Sequence, residues 1–145
     1  MTTTLTQTIA RLLFLPALMV ALATLVKGYA DTGDGFTAAV IAALAVLLQV
    51  VAFGEREVAR HLPLHRAPLV AFAGLALSLA VTFAPVLRGR PIMTHAPEVG
   101  AAVVHLGTLE LLTAVLFDLG VFLLVFGFAI STIGLVARAR TGRLP

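Results

Sequence analysis

Asp118 stands in Leu116-Phe117-Asp118-Leu119-Gly120, inside a long apolar run, and is the first residue that could do chemistry. An ionised carboxylate at membrane depth costs about 3 kcal/mol or more unless a partner, water or a proton offsets it. Two accounts are open: the acid passes protons or sodium ions through a polar cavity, or it joins helices or subunits as a protonated or partnered group. Glu110 lies eight residues earlier. If one helix carries both acids, they sit about 80° apart around it and about 12 Å apart along it, too far to share a proton. Thr108 and Thr113 add hydroxyls to this half of the segment. They could line a hydrated path or bond their own backbone, and Glu110 equally suits an interfacial charge.

The four histidines, His61, His65, His95 and His105, all fall in connections between apolar blocks, which disfavours a haem-binding bundle. His61 and His65 have the i, i+4 spacing of a helical metal site, but Pro63 between them breaks a regular helix. The chain contains no cysteine, so disulfides, thiolate metal sites and cysteine nucleophiles are excluded. No Walker loop, nucleotide fingerprint, nucleophile elbow or metalloprotease helix occurs. The expectation is a protein that is not an enzyme and carries no metal or cofactor.

The elements that must position these residues are hydrophobic blocks. The chain has 145 residues, 60% of them hydrophobic and 12% charged, outside the range of an ordinary soluble domain. A hydrocarbon core about 30 Å thick needs about 20 apolar residues per spanning helix. Four such blocks are read, at about 5–27, 36–53, 67–87 and 107–137, with short connections, no repeat and no low-complexity segment. The fold class expected is all-α, a single transmembrane domain over 1–145 with four spanning helices. The first block, with Arg11 and an Ala21-Leu22-Ala23 tripeptide, has some features of a secretory leader and is read instead as a retained helix.

Charge sets the orientation. Arg11, Arg56, Arg60, Arg66, Arg138, Arg140 and Arg143 fall on one side of a four-helix serpentine, and Lys27, Arg88 and Arg90 on the other. Positive loops resist translocation, so both termini are expected in the cytoplasm. The basic balance therefore reports topology. No stretch interleaves basic and stacking aromatic residues, which argues against nucleic acid as a partner.

Within the blocks, Pro16 is expected to kink the first helix. Gly and Asp in the segment 28–36 supply turn conformations, and Asp34 suits the positive N-terminus of the second helix. Alanines at 38, 39, 42 and 43 invite a close helix neighbour, and Gln49 is expected to hydrogen-bond an adjacent helix. Gly74 and Ser78 repeat the small-residue theme before the third helix bends or ends near Pro85. Gly120, Gly127 and Gly134 recur every seven residues and predict a packing seam along the fourth helix.

Met93-Thr94-His95 and the stretch from Leu106 to Val121, LGTLELLTAVLFDLGV, resemble the LTH segment and the TELTTALLFDLGV-like stretch of the MrpB/MnhB family, the B-type component of multi-subunit sodium/proton antiporters. The likeness covers roughly 28–138. Asp31 to Phe36 is similar to the family's Asn-x-Pro-Gly-Gly-Gly-Phe pattern, with Thr32 in place of proline and Asp34 in place of the middle glycine. The resemblance implies a four-helix subunit of a hetero-oligomeric antiporter in a bacterial cell membrane. It implies partner subunits and lipid around the chain, and a region that handles sodium and protons as transported ions. Through that match alone, Asp118, Glu110, Thr113, His95 and Phe36 become candidates for the ion path. Three other readings stand beside it. One is a purely structural subunit, and another is the homologous subunit of a membrane-bound hydrogenase-type redox complex. The third is a small multidrug exporter, disfavoured because the first block carries no acid.

Overall fold

A computed structural model of the chain describes residues 3–28, 33–89, 91–92, 105–106, 109–110 and 113–140. His95 and Thr108, and the arginines at 90 and 143, lie outside the described residues, as do Asp31 and Thr32.

Among the described residues, four helices are long and apolar enough to cross a membrane. The first, α1 (Thr4–Lys27), begins where the Thr3 hydroxyl accepts the Thr6 amide at 3.3 Å, an N-cap that meets one of the unpaired donors of the first turn, and it continues through Pro16. The second, α2 (Asp34–Phe53), is flanked by Gly33 and Gly54, whose φ angles of 119° and 89° are left-handed values open to glycine. Gly54 turns the chain directly into a short helix, α3 (Glu55–His61), built from charged residues around one buried apolar side chain, Val58. A 3-10 turn (Leu64–Arg66) leads into α4 (Ala67–Phe83), which ends two residues before Pro85, followed by a second 3-10 turn at Val86–Arg88. The last helix is α5 (Thr113–Arg140).

The start of α5 differs from the expected 107. His105–Leu106 (β1) pairs antiparallel with Leu109–Glu110 (β2), placing Glu110 opposite His105 in a strand pair. Glycine, at 107 in the sequence, is the costliest residue for a helix interior after proline, and 105–106 and 109–110 pair as strands. Glu110 and Asp118 therefore do not share a helix, and the 80° relationship between them does not hold.

The long helices pack in the order α1, α2, α5, α4, with α1 antiparallel to α2, α5 parallel to α2, and α4 antiparallel to α5. Among the described residues this is a row and not a closed bundle, so α1 packs chiefly on α2, with a slight touch on α5, and α4 packs chiefly on α5. The alanines of α2 are accordingly buried, with Ala38, Ala39, Ala42 and Ala43 turned inward on the helix that has partners on both flanks. Reciprocal glutamines tie α1 to α2: Gln49 Nε2 donates to the Ala10 carbonyl at 2.6 Å, and Gln7 Nε2 to the Ala52 carbonyl at 3.3 Å. At the same end the Arg11 guanidinium lies 4.9 Å from the Phe53 ring centre, and Val46, Val50, Val58, Leu64 and Ile130 gather into one apolar cluster.

A caged carboxylate at the helix-two N-terminus

The site is built from a turn. Gly33 leaves the chain with its amide aimed across the row, and the first turn of α2 offers further amides with no partner in their own helix. Asp118, six residues into α5, fills that position: its Oδ2 accepts the Gly33 amide at 3.1 Å and the Gly35 amide at 3.2 Å. Only 6% of the residue is exposed. The helix dipole places a partial positive charge where this carboxylate sits, and charge-assisted bonds of this kind are stronger than neutral ones.

Two glycines make the approach possible. A Cβ at Gly28 would stand 2.8 Å from Asp118 Oδ2, and one at Gly35 would collide with the Asp118 backbone carbonyl. Asp34 occupies the first position of α2 and pairs with Lys27 Nζ at 3.1 Å. Among the described residues, one end of the row thus holds two carboxylates around a helix N-terminus and a single ammonium beside them.

The other candidate residues disperse. Thr113 opens α5, and Phe36 is 56% exposed on the outer side of the first α2 turn. Glu110 belongs to the strand pair. Among the described residues no group of three His, Asp or Glu side chains is placed to hold a metal ion. His61 Nδ1 lies 3.1 Å from the Glu57 carbonyl, and His65 follows Pro63 on the 3-10 turn.

The glycine stripe of α5 divides. Gly120 packs against Ser78 and Gly74 of α4, and Gly74 reciprocally against the Gly120 carbonyl and the Leu124 amide. Gly127 meets the backbone of Ala67 and Ala71. Gly134 is outside this seam, with no atom within 4 Å of the place its Cβ would take. Because α4 runs antiparallel, Gly127 already faces the first turn of α4, and the next seven-residue step passes its end.

Sequence reasoning missed the donors to Asp118. The only signal was the cluster of glycines at 28, 33 and 35, since a backbone amide leaves no residue type of its own in a sequence.

Known proteins share much of this chain's sequence. A family described as "Domain related to MnhB subunit of Na+/H+ antiporter" matches residues 5–131. The chain is 34% identical over 110 residues to the B-type Na(+)/H(+) antiporter subunit of Alkalihalophilus pseudofirmus, covering 76% of this chain and 75% of that protein. It is 31% identical over 127 residues to the protein of the same name from Bacillus subtilis, covering 88% and 87%. It is also 32% identical over 132 residues to a probable K(+)/H(+) antiporter protein of Rhizobium meliloti, named as a joint A/B component, covering 83% of this chain but 13% of that much longer protein.

Proposed function

The chain belongs to the MnhB family of Na+/H+ antiporter subunits, and we propose that it is a small scaffold subunit of a multi-subunit sodium/proton antiporter in a bacterial cell membrane, needed for the complex to assemble. The observation that carries this reading is the row of helices, which leaves long apolar flanks on α1 and α4: Leu12, Leu15 and Met19 on one, Leu69 and Phe72 on the other, are each at least two-thirds exposed. Such flanks suit lipid and the helices of other subunits. Asp118 then acts within its own chain, holding the α1–α2 turn where a neighbouring subunit meets it.

The same reading puts both termini in the cytoplasm. Thr3 and Arg138 lie at the end of the row that also carries Arg11, Arg56, Arg60 and Arg66, as the positive-inside rule requires. Single cysteines in this cysteine-free chain test it. Thr3→Cys should resist a membrane-impermeant maleimide in intact cells, and Leu87→Cys, 90% exposed at the far end, should react.

A second reading has one observation behind it. Asp34 and Asp118 put two acids at one helix end, which suits a contribution to the sodium path. Asp118→Asn in the assembled complex separates the two. The scaffold reading expects the antiport rate to follow the amount of complex while sodium affinity stays unchanged; full assembly with lost antiport supports the path.

A further inference from the structure

A groove of about 1190 Å³ opens between α2, α3 and the end of α5, away from the caged carboxylate. It exceeds the roughly 300–1,000 Å³ of a small-molecule cleft. Its wall is aliphatic and bulky, with Leu47, Val51, Ile133 and Val136 in front, and Val51 and Val136 are 61% and 51% exposed. The stretches 47–53 and 132–138 each run about 9 Å along their helices, a depth that reaches from the charged end of the row into the apolar span. The rim at the charged end is cationic: Arg56, Arg60 and Arg138 stand against Glu55 on the rim and Glu57 beside it, which leaves one positive charge in excess. Glu55 Oε1 accepts from Arg138 Nε at 3.3 Å, Arg60 pairs with Glu57 at 2.9 Å, and Arg56 makes no ion pair among the described residues.

We propose that this groove binds an anionic phospholipid, with the phosphate at Arg56 and Arg60 and an acyl chain along Leu47, Val51 and Val136. The charge decides the headgroup, because guanidinium forks match phosphate oxygens, and basic pockets between membrane helices on the cytoplasmic side take acidic lipids. The wall decides between lipid and protein. Helices that pack on one another in a membrane present small residues, as α4 and α5 do through Gly74, Gly120 and Gly127. Apart from Gly54, Ala59 and Ala137 the groove presents branched and long side chains, whose gaps suit a flexible chain. The inference rests on the chain spanning a membrane and is independent of which ions the complex exchanges.

The absence of cysteine gives a direct test. Val51→Cys, and separately Ala59→Cys, is labelled with an environment-sensitive fluorophore in the full chain reconstituted in vesicles. Quenching by brominated phosphatidylglycerol is then compared with quenching by brominated phosphatidylcholine at equal mole fraction. The proposal expects quenching by the anionic lipid to be at least twofold stronger at either site, and the preference to vanish in Arg56→Gln/Arg60→Gln. It expects no preference for a label at Leu69→Cys, on the outer face of α4. Equal quenching by the two lipids, or a preference that survives loss of both arginines, would overturn it. So would fluorescence that neither lipid quenches in the assembled complex, which would mean that another protein of the complex fills the groove.

Discussion

Asp118 of α5 and Gly35 of α2 meet across 83 residues of chain, carboxylate Oδ2 to backbone amide at 3.2 Å. The bond makes a side chain of the last helix serve as the N-cap of the second. Because Gly33 donates to the same oxygen, the carboxylate fixes the turn as well as the helix start. This arrangement explains how an acid stays buried in an apolar segment with its own chain as partner.

Asp118→Ala should therefore destabilise the chain through α2. It leaves the buried Gly35 amide and the part-buried bond of Gly33 without this acceptor, a loss of about 2–3 kcal/mol. Asp118→Asn keeps an acceptor oxygen and should cost about 1 kcal/mol. Thermal unfolding in detergent, followed by the helical circular dichroism signal, should rank the wild type above Asn and Asn above Ala. Equal melting of Asn and Ala would show that the bonds to Gly33 and Gly35 contribute nothing.

The two glycines beside Asp118 should fail for different reasons. At Gly33 the space for a Cβ is open but φ is 119°, so Gly33→Ala meets backbone strain of about 1–2 kcal/mol while keeping its bond to Asp118. At Gly35 the conformation is helical and the obstacle is the Asp118 backbone, which cannot swing away. Gly35→Ala must push α2 from α5 and should cost about 3 kcal/mol or more. Its melting temperature should fall below that of Gly33→Ala.

Gln49→Leu removes the 2.6 Å bond to the Ala10 carbonyl and should loosen α1 from α2. Hydrogen bonds between membrane helices contribute about 1 kcal/mol, so the chain should still fold. The measurable outcome is a lower melting temperature, with the Gln7→Leu/Gln49→Leu double variant lower still.

Much of this fold was readable from block length, because a 20-residue apolar run has few other uses. Gln49 was readable for a related reason: a lone amide among aliphatic residues has to bond across to a neighbour. The strand pair was not, since Leu106 to Leu112 carries enough leucine to look like the opening of a helix. Nor was α3, seven residues with only Val58 to mark its inner side. The cage around Asp118 was hidden more deeply, in amides of residues more than 80 positions away that glycine supplies without a side chain to announce them.

The heptad glycines of α5 show where a sequence period and a packing seam part, and the difference can be measured. Gly120→Ala would drive a methyl group into the Ser78 hydroxyl and amide, and Gly127→Ala one into the Ala71 backbone. Each should cost about 1–3 kcal/mol by forcing α4 and α5 apart. Gly134 has the same spacing and no neighbour at that position. There the substitution meets open space in a helix interior, where alanine is favoured over glycine by about 0.5–1 kcal/mol. Gly134→Ala should therefore raise the melting temperature of the isolated chain while its two counterparts lower it. In the assembled complex the sign at Gly134 reports on a neighbouring protein, since a helix seated against that position would turn the gain into a loss.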